Sequence, residues 1–221
     1  MNYFFLTNTM LFRGTSAEEA EAMLGCLGSY ENVYEKGSVI FRAGECVDNM
    51  GMVLSGSVNI EIDDLWGNKT ILGHVEAGGL FAETYACVPG EPLMVNVVAC
   101  EKSEILFLNA SRLLTTCSNS CAHHNKLIQN LLQISAQKNL ALSRRSLHTS
   151  PKSIRGRLLS YLSEQAKQNG SYQFSIPFNR QQLADYLGVD RSTMSNELSK
   201  MYRDGILSYD KNNFVLRQTE S

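Results

Sequence analysis

The spacing of hydrophobic residues changes several times along the chain, and each change predicts a different structure. The first pattern, in residues 16–30, predicts a short helix, because Met23, Leu24 and Leu27 recur at helical spacing. Ser16 is a typical N-cap residue, and Glu19, three positions later, completes a capping box.

The second pattern runs from about Tyr34 to Asn109, where short apolar or alternating runs are separated by glycines. Such runs are Val39–Phe41, Met52–Leu54, Val58–Ile62, Thr70–Leu72, Val95–Val98 and Ile105–Leu108. Two-residue periodicity with frequent turns predicts a compact antiparallel β-barrel or β-roll and argues against a parallel α/β sheet.

The third pattern is helical and uninterrupted. No glycine or proline occurs between about Asn125 and Leu147, and the leucines and isoleucines there predict one long helix. Its apolar stripe either packs on the β-roll or, as we favour, also crosses a dimer axis. The sequence His148-Thr149-Ser150-Pro151 predicts a hinge, after which a second helix is expected from roughly Pro151 to Lys167.

Residues 179–198 have the pattern of a helix-turn-helix. Asn179 is a good N-cap, and Leu183 and Leu187 share one face of the helix that follows. Gly188 supplies the positive φ that a tight turn between two helices needs, and Asp190 is expected to cap the second helix. A β-hairpin is predicted at residues 205–216, where a wing would lie.

The outer face of the second helix is rich in the types of side chain that contact DNA in other proteins. Arg can make two hydrogen bonds to guanine and Asn can do the same to adenine, while hydroxyl, amide and basic groups suit phosphates. We expect Arg191 to read a base and Arg180 to meet the DNA backbone, with neither side chain entering the core. The predicted DNA-binding residues are Arg180, Gln181, Arg191, Ser192, Thr193, Ser195, Asn196 and Lys200.

Charge adds modest support. The net charge is only -2, but from Ser150 onward ten basic residues face seven acidic ones, whereas residues 1–149 carry ten against fifteen. No run of about twenty apolar residues occurs, so no membrane span is predicted. The first residues do not have the pattern of a secretory signal, and six cysteines without a secretory context favour free thiols in the cytoplasm.

Over nearly its whole length the chain resembles the Crp–Fnr superfamily, which includes the catabolite activator. The resemblance rests on Gly79-Leu80-Phe81-Ala82-Glu83, the long helix, the hinge and Val189-Asp190-Arg191-Ser192-Thr193-Met194-Ser195. It implies an α+β protein with an N-terminal cyclic-nucleotide-binding-type antiparallel β-roll (1–112), a long central dimerisation helix (113–149) and a C-terminal winged helix-turn-helix (150–221). Asn196 stands where relatives often carry Arg, so no operator sequence can be transferred.

The resemblance also identifies a candidate effector pocket, comprising Glu83, Leu93, Met94 and Asn139. In nucleotide-binding relatives a Glu at the place of Glu83 holds the ribose, and an Arg-Ser pair at the place of Leu93-Met94 holds the phosphate. A buried phosphate without a cation is costly, so we expect no cyclic AMP binding. Leu93 and Met94 either line a pocket for a less polar effector or fill the β-roll, and the effector is unknown.

One cysteine and histidine cluster stands apart. If helical, Cys117 and Cys121 share a face with His124 one turn further, a set that could bind a metal or respond to oxidants. The alternative is two half-buried thiols and two surface imidazoles, His123 and His124. The oxygen-sensing relatives cluster cysteines near the N-terminus, whereas Cys26 stands alone here, so the resemblance implies no iron–sulfur cluster.

Three functional classes follow from these features. The favoured one is a DNA-binding regulator that acts as a homodimer on double-stranded DNA, with RNA polymerase a candidate further partner. The first alternative keeps the β-roll only as a dimerisation scaffold without an effector. The second, an enzyme with a cupin-like β-roll, lacks paired metal ligands, since His74 is the sole histidine of the roll. We therefore expect no enzymatic activity.

Cys46, Cys87 and Cys100 are expected to be small core residues.

Overall fold

The computed structural model describes residues 1–63, 69–115 and 122–217. Its contacts divide the chain into an N-terminal unit, Met1–Ala136, and a C-terminal unit, Gln137–Ser221. Helix α5 (Ala122–Thr149) contributes residues to both units. Among the described residues, no helix is both long enough and apolar enough to cross a bilayer.

The N-terminal unit is built around two antiparallel sheets, which confirms the predicted antiparallel β-roll. Its elements are α1 (Tyr3–Thr7), α2 (Ala17–Cys26), β1 (Tyr30–Tyr34), β2 (Val39–Phe41), β3 (Asn49–Ser55), β4 (Ser57–Asp63), β5 (Lys69–Glu76), β6 (Leu80–Phe81), α3 (Glu83–Ala86), β7 (Asn96–Ala99), β8 (Ser103–Asn109) and α4 (Ala110–Leu114). The strands follow the order β1-β8-β3-β6 in one sheet and β2-β7-β4-β5 in the other.

Strand β8 shows why this unit has two cores. Ile105 and Phe107 belong to the cluster between the two sheets, whereas Leu106 and Leu108 belong to the cluster formed with the helices. Successive side chains of a strand point to opposite faces, so a strand covered on both faces is a continuous apolar run.

The ring of Phe81 lies where a side chain at Gly51 would be, since a Cβ there would lie 2.1 Å from the ring.

The helix predicted at residues 16–30 is observed as α2. The Ser16 side chain accepts a hydrogen bond from the Glu19 backbone N–H, and the Glu19 carboxylate accepts one from the Ser16 N–H. The capping box predicted from sequence is therefore confirmed.

The C-terminal unit combines helices with a small sheet. After α5 it contains α6 (Ile154–Asn169), β9 (Gln173–Ser175), α7 (Arg180–Leu187), α8 (Arg191–Arg203), β10 (Leu207–Asp210) and β11 (Asn213–Leu216). The strands pair antiparallel in the order β10-β11-β9. The hairpin of β10 and β11 confirms the predicted wing.

Two details of the C-terminal unit differ from the sequence prediction. Helix α6 begins at Ile154 and not near Pro151, because the Ser153 side chain accepts a hydrogen bond from the Gly156 N–H and so sets the N-terminus. Strand β9 was not predicted at all. Phe174 packs against Phe214 of β11, and this tertiary contact accompanies the pairing of the two strands.

Candidate DNA-binding site

Helix α7 begins and ends where its sequence predicts. The Asn179 side chain accepts from the Gln182 N–H at 2.9 Å, and the Gln182 side chain accepts from the Asn179 N–H at 2.9 Å, which forms a capping box. Gly188 ends the helix with φ of +64°. Leu183 and Leu187 are fully buried. The turn into α8 is therefore set by local signals that the sequence already contains.

Asp190 caps α8 and organises the residues beside it. Its carboxylate accepts from the Thr193 N–H at 2.8 Å, from the Thr193 hydroxyl at 2.8 Å and from the Ser192 hydroxyl at 2.6 Å. The hydrogen bond from Ser192, followed by those from Thr193, lowers the pKa of Asp190 to about 2. Both hydroxyl protons thus point to the cap, while the two side chains remain exposed.

The two faces of α8 are chemically distinct. Met194, Leu198 and Met201 are fully buried in the core of the C-terminal unit. The predicted DNA-binding residues of this helix lie at or near the surface: Arg191, Ser192, Thr193, Asn196 and Lys200 are exposed and Ser195 is partly exposed. The structure thus presents these groups together, as an α-helix entering a major groove would.

Arg155 of α6 fixes the position of α8, and sequence reasoning missed it. Its Nε lies 2.6 Å from Glu197 Oε1, and its Nη2 lies 2.8 Å from Asp204 Oδ2. The hydrogen bond with Glu197 and, to a smaller extent, the one with Asp204 raise the pKa of Arg155. The signal in the sequence was two acidic residues seven positions apart, which places both on one side of the helix.

Arg180 is held by the wing, contrary to our expectation that its side chain stays out of the core. Its guanidinium carbon lies 4.9 Å from the ring centre of Tyr209 and 5.2 Å from that of Phe214. Burial lowers the pKa of Arg180, and within the described residues its buried Nη1 has no hydrogen-bond partner. Contact with the DNA backbone remains a prediction for Arg180. Gln181, the neighbouring candidate, is exposed and donates to Asp185.

Two arginines from other helices satisfy the carbonyl groups at the end of α7. Arg145 of α5 donates to the carbonyl oxygens of residues 185 and 186 at 2.9 and 3.0 Å. Arg157 of α6 donates to those of residues 187 and 188, both at 3.0 Å. Cations near a helix C-terminus also interact favourably with its dipole. The first helix of the helix-turn-helix is therefore attached to both α5 and α6.

The candidate effector residues lie in different environments. Glu83 is buried at the start of α3, and Leu93 is also buried, with 2% of its surface exposed. The adjacent Met94 is 69% exposed, so Leu93 and Met94 do not share one environment. Asn139 is exposed on α5, where its side chain accepts from the Ser143 hydroxyl. Their roles toward an effector remain predictions.

The cysteine and histidine cluster is only partly described. Cys117 and Cys121 lie outside the described residues, whereas His124 is buried and its Nδ1 has no hydrogen-bond partner among them. Within the described ranges no three His, Cys, Asp or Glu side chains form a metal site. Cys46 is exposed, so its prediction as a core residue was wrong: it lies at an isolated bridge with Pro92, outside the named strands.

Two family models match the chain. Residues 31–120 match a cyclic nucleotide-binding domain, and residues 156–221 match a Crp-like helix-turn-helix domain. The chain belongs to the Crp–Fnr family. A 48-residue stretch of this Crp–Fnr protein is 35% identical to the transcriptional activator protein FnrL of Cereibacter sphaeroides. That match covers 22% of the chain and only 19% of FnrL.

Solved structures share the fold of this Crp–Fnr protein at lower identity. The catabolite activator protein of Thermus thermophilus is 23% identical, with a TM-score of 0.53 over 95% of this chain and 94% of its own. The c-di-GMP-responsive regulator CLP of Xanthomonas campestris is 21% identical, with a TM-score of 0.54 over 92% and 100%. CprK in complex with OCPA is 18% identical, with a TM-score of 0.62 over 90% and 92%.

Proposed function

We propose that this Crp–Fnr protein is a DNA-binding transcription regulator, not an enzyme, that binds an inverted-repeat operator as a homodimer. The observation that carries the proposal is the polar outer face of α8, which lies opposite the fully buried Met194, Leu198 and Met201. A helix presented in this way suits the major groove, where base edges carry a unique pattern of donors and acceptors.

Each part of the helix-turn-helix has a proposed task on DNA. Arg191, at the start of α8, reaches a guanine, and Asn196, five residues later, reaches a neighbouring base. Lys200 and Gln181 contact phosphates, which position the protein but carry no sequence information. Arg155 and Arg157 act indirectly, because they hold α8 and the preceding turn in place.

Exposed leucines on α5 support the homodimer. Leu132, Leu140 and Leu147 are 69%, 57% and 65% exposed, and at 100° per residue they fall within an arc of about 80°. Leu127 and Leu131 of the same helix are buried in the N-terminal unit and lie outside that arc. Exposed apolar groups on one helix face mark interaction sites, and a second copy of the same helix is a self-complementary partner.

The test of DNA binding and dimerisation is selection of bound duplexes from a random pool, combined with sedimentation of the protein. We expect an inverted repeat with half-site centres about one helical turn apart. The variant with Leu132, Leu140 and Leu147 replaced by serine should sediment as a monomer, whereas serine at Leu142, outside the arc, should leave a dimer. A wild-type monomer that protects one half-site with full affinity would contradict the proposal.

We further propose that the β-roll senses an effector other than cyclic AMP and that the effector alters the arrangement of the central helices. Leu93, at the place of the phosphate clamp, is apolar and buried. Repeating the selection with extracted cell metabolites tests for the effector. Titration calorimetry with cyclic AMP should show no binding at micromolar concentration, and micromolar binding would refute this part. A protein whose melting temperature and DNA affinity respond to no metabolite would be a ligand-independent regulator.

A metal or redox response is a second candidate function. It is favoured by His124, whose buried Nδ1 has no hydrogen-bond partner within the described part of the chain and which follows the segment that contains Cys117 and Cys121. If this cluster is a sensor, purified protein should hold stoichiometric metal or bind DNA in an oxidant-dependent way. Replacement of Cys117 and Cys121 by serine should abolish the response, whereas serine at the exposed Cys26 should not. Unchanged metal content and DNA affinity in the double variant would rule this function out.

A further inference from the structure

His148 is a buried histidine that joins three helices of the C-terminal unit. It lies in the last turn of α5 and is 3% exposed. Its Nε2 lies 2.5 Å from Glu164 Oε2 of α6, and its Nδ1 lies 2.9 Å from the Tyr186 hydroxyl of α7. Its ring also meets the Tyr161 ring edge-on at 5.4 Å between centroids. The end of the central helix is therefore held to α6 and to the helix-turn-helix through one imidazole.

The two contacts survive protonation of the ring, but their strength changes. A carboxylate only accepts, so Nε2 donates to Glu164. In the neutral ring Nδ1 accepts from the Tyr186 hydroxyl, and in the imidazolium it donates to the same oxygen. The hydrogen bond to Glu164, whose acceptor is already ionised, then becomes an ion pair. The Nδ1 hydrogen bond to Tyr186 changes from a neutral to a charge-assisted one, and charge-assisted hydrogen bonds are about twice as strong as neutral ones. Binding a proton therefore tightens the links that α5 makes to both α6 and α7.

Charges of both signs surround this ring. Arg144 of α5 lies with its Nε 3.7 Å from Glu164 Oε1, and its side chain is more than half exposed. Arg145 lies with its guanidinium carbon 5.9 Å from the ring centre of Tyr186 and donates to the backbone carbonyl of Asp185. Among the charged side chains that the structure describes, only the Glu164 carboxylate is hydrogen-bonded directly to the imidazole. Glu164 is therefore the charged group that acts most directly on a protonated His148.

The aromatic neighbours keep a constant charge. Burial is the main cause that raises the pKa of Tyr161 and the pKa of Tyr186. Both side chains therefore remain neutral phenols at physiological pH. Histidine is the side chain whose charge ordinarily changes between pH 5 and 8. The two phenols therefore contribute no change of charge in that range.

We propose that His148 is a proton-binding site through which acidification strengthens the hold of α5 on the helix-turn-helix and tightens binding to the inverted repeat. This inference rests on the proposed function. If α5 forms the dimer, a firmer link between α5 and α7 holds the two recognition helices at a fixed spacing. A fixed spacing raises the effective concentration of the second recognition helix once the first is bound. Binding to a single half-site does not benefit, so the proton acts on the ratio of full-site to half-site affinity.

The experiment measures this ratio for the full chain at pH 8 and pH 6, at constant ionic strength, with the selected operator and an isolated half-site. We expect the wild-type ratio to rise about fivefold or more on acidification, as in weak coupling between two sites. The ratio should stay constant in His148→Gln, which cannot be protonated, and in Glu164→Gln, which removes the anion. His74→Gln, at the exposed histidine of β5, is the matched control and should behave as wild type.

A DNA-independent measurement separates this proposal from the proposed function. The NMR ring signals of Tyr186 should shift between pH 8 and pH 6 in the wild type and stay unchanged in His148→Gln. If they do so while no DNA is selected, the proton site stands and the proposed function fails. If DNA binds but the wild-type ratio is constant, or His148→Gln keeps the wild-type pH dependence, the proposal is overturned.

Discussion

Replacing Arg191 by alanine is expected to change which base pairs the protein prefers, and not only how tightly it binds. Arg191 is the first residue of α8, directly after the Asp190 cap, and its side chain is exposed. Within the residues that the structure describes, its guanidinium has no hydrogen-bond or ion-pair partner. The substitution therefore removes the proposed reader of bases without breaking a contact of the folded protein.

The expected magnitude follows from the contact that is lost. A bidentate contact between Arg and guanine discriminates against other bases by about 1–3 kcal/mol. At about 1.4 kcal/mol for each factor of ten, this is roughly 5- to 150-fold per half-site. The loss should fall on one symmetric pair of operator positions, because each protomer contributes one Arg191.

Lys200 is the matched control, because it is a second exposed cation of α8, nearer the C-terminal end of the helix. Its Nζ is 3.8 Å from Glu197, and its side chain is more than half exposed. Lys200→Ala should weaken binding to all sequences about equally and reduce the salt dependence by about one unit of slope per half-site. Arg180 is a poorer control for a phosphate contact, since its loss also disturbs the packing of the wing.

The assay is binding of wild type, Arg191→Ala and Lys200→Ala to a library of operator variants at two salt concentrations. A change of preference confined to one symmetric pair of positions in Arg191→Ala is the expected result. If Arg191→Ala keeps the wild-type preference at every position, or if Lys200→Ala shifts the preferred sequence, the assignment of readers along α8 is wrong.

Three further predictions concern the stability of the C-terminal unit. Gly188→Ala should lower the free energy of unfolding by about 1–2 kcal/mol, because φ is +64° at this residue. Gly188→Asn should lower it less, and equal losses of the two variants in urea denaturation would contradict this prediction. The hydrogen bond from Ser192, followed by those from Thr193, holds the pKa of Asp190 at about 2. The stability that the charge of Asp190 contributes is therefore complete above about pH 4 and is lost as the pH falls toward 2. In acid titrations followed by circular dichroism, the difference between wild type and Asp190→Asn should therefore disappear across that window, and a constant difference would refute it. Arg180→Ala should lower the free energy of unfolding by about 1 kcal/mol through loss of its contact with two rings, whereas alanine at the exposed Gln181 should have little effect in the same urea titration.

Features governed by local chemistry could be predicted from the sequence. The caps at Ser16, Asn179 and Asp190 each need one side chain and a backbone N–H two or three residues away. The buried face of α8 follows from helical spacing alone. The two-residue periodicity of the N-terminal unit is also a local pattern, and it correctly indicated antiparallel sheets.

Features that depend on distant partners could not be predicted. Strand β9 is three residues long, and its pairing with β11 is not visible in local spacing. The Arg180 side chain packs on two rings about thirty residues away in sequence, whereas local reasoning predicted that it meets the DNA backbone and stays out of the core. His148 was taken only as part of a hinge, because its partners Glu164 and Tyr186 lie on two other helices.

The arginines that complete the end of α7 limit how this module can be transplanted. Arg157 would travel with α6 in any chimera cut at Pro151, but Arg145 would stay behind with the donor's α5. The carbonyl groups of residues 185 and 186 would then lose their side-chain donor. A recognition module grafted onto another regulator should therefore be joined before residue 144, so that the last two turns of the preceding helix are exchanged together with it.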